Sequence, residues 1–266
     1  GQKADWSGEL VSGATLDDLA PEAIAMARQR FVEYLVKTER DVERHAQIRH
    51  EAAGWDVPTL LNKAKLTKQG RVTRAALLLL GKDESAHFLA PADTKMSWVL
   101  RDAGNTTISS QHFSLPFLLS TDKVFSYIRN VTIEHMPDGT LFPTAIQQYD
   151  PWVIREALHN CIAHQDYSRH SRILLTEKTH QLIFENEGGF IEGNAEDYTF
   201  GDKTPKKYRN RWLADAMVNL NMIDTMGYGI RRMYEEQRKR FFPLPDYRKS
   251  TRDKVVLEIY GHTLDE

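Results

Sequence analysis

Glu156, Asn160 and His164 recur every four residues, and their types suit phosphate chemistry. On a helix this spacing sets all three along one stripe. A carboxylate can polarise a water, an amide oxygen can ligate a hard cation, and an imidazole can lie near phosphate. The plain alternative makes Glu156 a surface residue and Asn160 a hydrogen-bonded core amide. The helix itself is well signalled, with Asp150 as cap and Pro151 at the first position, running from Trp152 to about His164. Val153, Ala157, Leu158, Cys161 and Ile162 supply apolar cover around the stripe.

The residues that follow add parts of a site. Gln165-Asp166-Tyr167-Ser168 leaves the helix, and Ser171 to Thr176 with Gln181 to Glu185 reads as a hairpin. The second strand ends in Glu185-Asn186-Glu187-Gly188-Gly189, where two glycines let backbone approach a ligand closely. A polar segment from Gly193 to Tyr208, with Lys203, Lys206 and Lys207, is long for a connection and reads as a lid or mobile loop. An amphipathic helix from Asn210 to Asn219 comes next. Gly227-Tyr228-Gly229 then opens a helix to about Arg240, and exposed N–H groups there would form an anion site, unless the pair is a plain connecting turn.

The run Ile154 to Ser168, then Glu185 to Gly189, Tyr208-Arg209-Asn210 and Met226-Gly227-Tyr228-Gly229-Ile230 resembles the RecG-like C-terminal family. That family is related to the GHKL group of gyrase, MutL, the heat-shock chaperone and histidine kinases. The likeness spans about Asp150 to Gly261, and Ala14 to Lys82 also resembles the segment that precedes this domain in such proteins. It implies a Bergerat-type, HATPase-like α/β sandwich with ATP between helix and lid. By position, Glu156 would orient the attacking water and Asn160 would hold Mg²⁺ bridging the phosphates. His164 and Asp166 belong to the same helix motif, Gly188 and Gly189 would form the adenine side, and Gly227 and Gly229 would cradle phosphate, with Lys207 reaching it from the lid. Working relatives carry an aspartate that accepts from the adenine amino group, and the candidates here are Glu185 and Asn186. Relatives often place this region after a Schlafen/AlbA-like nucleic-acid-binding module and are described as transcriptional regulators. No such module is recognisable, so the chain reads as a fragment that begins after it, with DNA reached through that module.

The N-terminal half names no chemistry. A helix from Ala23 to Val36, a charged stretch from Thr38 to His50 that reads as a solvated helix face or mobile loop, and a helix at Pro58 to Ala64 lead to the run Ala75 to Leu80. The last two can form a helix-turn-helix, or the run can be a core helix or buried strand, since it is apolar all round. Lys95 to Leu100 and Val131 to His135 have strand character, Pro137-Asp138-Gly139 suggests a hairpin to Leu141 to Ile146, and Phe117 to Ile128 reads as a helix. The expected organisation is a mixed α/β region over 1–148 and a GHKL-like nucleotide-binding domain over 149–266, an α/β (α+β) protein overall.

Composition limits the classes. The 266 residues are 41% hydrophobic and 27% charged, which excludes disorder, collagen-like fibre and a disulfide scaffold. No apolar run approaches the ~20 residues of a spanning helix. Thirty-five Lys and Arg against 37 Asp and Glu leave a net charge of −2, so any polyanion site must be local. One cysteine, Cys161, favours a reducing compartment, hence the cytoplasm. Three classes remain: an ATP-binding and ATP-hydrolysing domain of a regulator; a non-catalytic scaffold for homodimerisation or partner binding; and a nucleic-acid binder using the cations of 203–211 and 231–240.

Overall fold

The computed structural model describes residues 4–136, 139–191, 193–194, 208–224 and 228–264. The N-terminal part is helical. Pro21 starts α1 (Pro21–Thr38), and α2 (Arg44–Ala53) occupies much of the charged stretch, with only Ala52 of its ten residues buried. Asp56 caps α3 (Val57–Lys63) by accepting from the Thr59 N–H, and a two-residue hairpin of β1 (Thr67–Lys68) and β2 (Arg71–Val72) leads to α4 (Arg74–Leu80). Every residue from Ala75 to Leu80 is buried, so α4 is a core helix with no face left to read bases.

The sheet departs from the expected boundary at 149. β3 (Met96–Arg101) and β4 (Thr107–Phe113) join β7 (Ile173–Lys178), β8 (Gln181–Glu187) and β9 (Lys254–Tyr260) in one five-stranded sheet of order β4-β3-β7-β8-β9. β3 pairs with β7 in parallel, and the other pairs are antiparallel. Two of the five strands therefore come from before residue 149, and the sandwich cannot be cut there. β4 has no sequence signature, because Thr107 to His112 are exposed residues on an edge strand and show no apolar alternation.

Four longer helices complete this half: α5 (Phe117–Tyr127), α6 (Pro151–His164), α7 (Arg211–Asn219) and α8 (Tyr228–Lys239). α6 lies on β8 and also meets α5, α7 and α8, while α1 packs behind on α5, α7 and α4. The strand registers set Trp98, Leu175, Phe184 and Leu257 in one row. All four are buried, with Phe184 and Leu257 sharing a cavity with α6. Between β4 and α6, β5 (Thr132–His135) and β6 (Thr144–Gln147) form a separate hairpin; Pro137 and Asp138 lie outside the described residues, and Gly139 takes φ +77°. Among the described residues, no helix is long and apolar enough to cross a membrane.

A buried carboxylate ties the sheet to its connections. Glu177 on β7 accepts from Trp98 Nε1 at 3.1 Å and from Arg129 Nε at 2.8 Å, with its side chain 2% exposed.

Candidate functional site

α6 is fixed at both ends. Asp150 accepts from the N–H groups of Trp152 and Val153. The last four carbonyls, which no helical N–H reaches, each find another donor. Gln165 N–H serves Cys161 O, the Tyr167 hydroxyl serves Ile162 O at 2.8 Å, Asn210 Nδ2 serves Ala163 O at 3.1 Å, and Arg209 Nη1 serves His164 O at 2.9 Å. Asn210 Nδ2 also donates to Gln165 O at 2.7 Å. Arg209 and Asn210 thus clamp the C-terminus of the helix that carries the polar stripe, a role the sequence did not disclose although both residues stand in its motif.

The stripe faces a cavity. Glu156, Asn160 and His164 line it together with Asn186 and Gly189 from the end of β8, Arg209, and Asp224 and Gly229 near the start of α8. Apolar wall is supplied by Phe184, Ile223, Ile230 and Leu257, among others, and the enclosed volume is about 120 Å³.

Glu156 is 4% exposed. Burial, reinforced by the nearby Asp224 carboxylate, pushes its carboxyl up to about 7, against the opposing pull of the Asp224 N–H, Asn160 and Arg232. Asn160 Nδ2 donates to Glu156 Oε1 at 3.3 Å, which leaves the Asn160 amide oxygen available to a cation. His164 is half-buried, and desolvation with the Arg209 charge lowers its imidazole to about 4, so it stays neutral near pH 7. Asn186 is 4% exposed and donates through Nδ2 to Glu187 O at 3.2 Å, so its remaining polar atom, an acceptor oxygen, is the one left for a ligand.

Other expected residues fall elsewhere. Strand alternation sends Glu185 to the opposite face of the sheet, where it pairs with Lys254 at 3.3 Å; Asn186 is the candidate that meets the cavity. Asp166 caps the short turn Tyr167–Arg169 by accepting from Ser168, pairs with Arg169 at 3.2 Å, and does not line the cavity. Gly227 and Lys207 lie outside the described residues.

The glycines make room for the chain's own groups. Gly188 has φ +87°, and a Cβ there would fall 2.5 Å from Arg209 Nη1. At Gly189 a Cβ would fall 2.5 Å from the Arg252 carbonyl oxygen, and at Gly229 it would overlap the Glu156 carboxylate. Gly188 therefore admits the guanidinium that clamps α6, and Gly229 admits Glu156.

Of the cations of the expected nucleic-acid patch, Lys203 and Lys206 also lie outside the described residues, and most of the described ones have partners. Arg232 stacks on Trp152 at 4.0 Å, Arg211 lies 4.0 Å from Asp215, Lys239 pairs with Glu236 at 3.5 Å, and Arg240 stacks on Phe242 and donates to Gln147 O. Cys161 is buried and its thiol is pushed up to about 12, so it is an unreactive part of the wall.

Comparison with known proteins identifies the region around this cavity. Residues 171–259 match the family described as "Putative ATP-dependent DNA helicase recG C-terminal". This C-terminal part of the chain is similar to that family. The match takes in β7, β8, α7, α8 and most of β9, and so Asn186, the glycines and Arg209, but begins after α6. Residues 1–93 match a family described as a domain of unknown function. No curated protein matches. Among solved structures, the DIP2311 protein from Corynebacterium diphtheriae is similar in fold, with a TM-score of 0.72 at 20% identity over 98% of this chain and 48% of that one. The chain spans about half the length of that protein.

Proposed function

We propose that the chain carries a nucleotide-binding site for Mg-ATP between α6 and the start of α8, and that Glu156 supports hydrolysis there. The observation that carries this reading is the convergence of Glu156, Asn160 and Asn186 on one apolar cavity of the RecG C-terminal type of domain. The donor set suits the ligand. The Asn160 oxygen is available to Mg²⁺, the Asn186 oxygen offers an acceptor to the amino group of a base, and the aromatic and aliphatic wall suits a flat ring. Mg²⁺ bound there would neutralise phosphate charge. The chain's own part is positional: α6, held at both caps, fixes a carboxylate and an amide one turn apart, and Glu156 is placed to accept a proton from a water beside Asn160.

One observation favours a second reading, a non-catalytic scaffold that retains the fold. The enclosed volume of about 120 Å³ is below the roughly 300 Å³ at which ligand pockets begin, and the glycines are filled by Arg209, the Arg252 carbonyl and Glu156. Thermal unfolding with Mg-ATP separates the two, because a ligand that binds only the folded state raises Tm. A rise at millimolar Mg-ATP supports nucleotide binding, and an unchanged Tm leaves the scaffold. For hydrolysis, Glu156→Ala should abolish phosphate release, and an unchanged rate would remove Glu156 from the chemistry.

On the same reading the chain serves a cytoplasmic transcriptional regulator that reaches DNA through a further module and works as a homodimer. The single, buried and free cysteine supports the compartment. A DNA titration of this chain at two salt concentrations should show no binding, and tight salt-dependent binding would relocate the DNA contact to these residues.

A further inference from the structure

Asn210 stands where α7 needs a cap, but its side chain is used elsewhere. Asparagine before a first helical turn ordinarily accepts from the N–H groups there, yet Asn210 makes no such bond and its amide serves the carbonyls at the end of α6. The acceptors for α7 come from the other end of the chain. Asp5 Oδ2 accepts from the Trp212 N–H at 2.7 Å, and Ser7 Oγ accepts from the Leu213 N–H at 3.0 Å. Asp5 Oδ1 takes the Ser7 N–H at 3.0 Å and the Ser7 hydroxyl at 2.6 Å, which turns the serine oxygen's free acceptor side to α7. Ser7 is fully buried. Between the two, Trp6 stacks on Tyr167 with ring centroids 4.7 Å apart, and the Tyr167 hydroxyl is the donor to Ile162 O. Three consecutive residues therefore bear on the groups that close the end of α6: Trp6 through Tyr167, and Asp5 and Ser7 through the turn that follows Arg209 and Asn210 directly. The segment is anchored in the N-terminal half, since Arg74 at the start of α4 lies 5.0 Å over Trp6 and pairs with Glu9 at 3.0 Å.

We propose that Asp5, Trp6 and Ser7 are positioning residues of the nucleotide site, a strap that holds the end of α6 and with it the polar stripe. This rests on the nucleotide reading above. The last carbonyls of α6 depend on donors from Tyr167, Arg209 and Asn210, and the helix end frays when those donors shift. Asn160 and His164 lie in its last two turns, and Asn160 holds Glu156 Oε1. The proposal gives a role to part of residues 1–93, the stretch that matches a domain of unknown function. Coupling between two sites is reciprocal, so a nucleotide in the cavity also holds the strap.

The test combines amide hydrogen exchange, read by mass spectrometry, with calorimetric titration of a β,γ-imido analogue of ATP and Mg²⁺. The proteins are the full chain as wild type, the double variant Asp5→Ala with Ser7→Ala, and Asp56→Ala. Asp56 caps α3 through the same kind of bond, to the Thr59 N–H, and does not line the cavity, so its loss matches a lost cap without touching the strap. The double variant should exchange about tenfold faster over 160–167 and 209–214, the factor that one or two helix caps are worth. It should also bind the analogue about threefold or more weakly, as the competent arrangement is less populated. Asp56→Ala should lower Tm and leave both readings at the wild-type value. Unchanged exchange over 160–167 in the double variant, or equal changes in Asp56→Ala, overturns the proposal and leaves nucleotide binding standing. Faster exchange with wild-type affinity makes the strap a support of the fold alone and overturns it equally. Absence of binding by the wild type removes the nucleotide reading and the positioning role together. Should the double variant fail to fold by circular dichroism, Trp6→Leu, which removes the stack on Tyr167 and leaves both caps, carries the same expectation over 160–167 and for affinity.

Discussion

The contact between Glu156 and Gly229 is open to a stability measurement that needs no ligand. Gly229 is not in the left-handed region, so alanine suits its backbone. In a helix that exchange is worth up to about 1 kcal/mol in favour of alanine, and less near an end. Against it stands a Cβ that would overlap a carboxylate 4% exposed and unable to swing into solvent. Overpacking of this kind costs about 1–3 kcal/mol. Gly229→Ala should therefore destabilise the wild type by about 1–2 kcal/mol. Made on Glu156→Ala, where the carboxylate is gone, the same change should be neutral or stabilising by about 0.5 kcal/mol. The coupling of about 2 kcal/mol lies within the range for residues in direct contact. Urea unfolding of the four proteins, followed by circular dichroism with m-values compared, gives the cycle. Equal effects of Gly229→Ala in the two backgrounds would show that the carboxylate does not sit on the first turn of α8.

Three further outcomes follow from groups outside that contact. Asn210→Ala strips two carbonyls at the end of α6 of a shared donor and should cost about 2–3 kcal/mol, read as a Tm several degrees lower; an unchanged Tm would mean the clamp is not needed. His159 is 1% exposed, and desolvation lowers its imidazole to about 3, so the fold holds it neutral while the unfolded chain takes a proton near 6.5. Its stabilising contribution is present above pH 6.5 and is lost as pH falls toward 3. By pH 5 that loss reaches about 2 kcal/mol, and His159→Gln should flatten that limb of the stability profile; an identical acid slope would refute it. Glu177→Ala leaves the buried Trp98 Nε1 without its acceptor and removes a pair with the half-exposed Arg129, and should cost about 1–3 kcal/mol, checked by urea unfolding, with a shift in tryptophan emission as the local sign.

Much of the fold was legible because its elements obey local rules. Pro21 and Pro151 open α1 and α6 as their fixed φ requires, Asp150 caps α6, and β7, β8 and β9 show recognisable strand patterns. What could not be read was long-range. β4 is a polar edge strand whose only instruction is its partner β3, and the parallel pairing of β3 with β7 joins residues more than seventy positions apart. A boundary at 149 follows from where sequence motifs begin, whereas the sheet is assembled from both sides of it.

The site shows the same division more sharply. Spacing on a helix is a local quantity, so the stripe of Glu156, Asn160 and His164 was readable and its three residues do share a cavity. Choosing between Glu185 and Asn186 needed the register of β8 against β7 and β9, since a strand sends neighbours to opposite faces and a one-residue change of phase reverses the answer. Glycine is the least specific sign of all. It marks a close approach without naming what approaches, and here Arg209, a backbone carbonyl and Glu156 stand where a nucleotide was expected. A glycine that admits a positive group at the end of α6, and another that admits a negative group at the start of α8, serve the electrostatics of both helix ends. The same two contacts hold α6 in place and bring its carboxylate to the first turn of α8, so the scaffold and the candidate site are built from one set of residues.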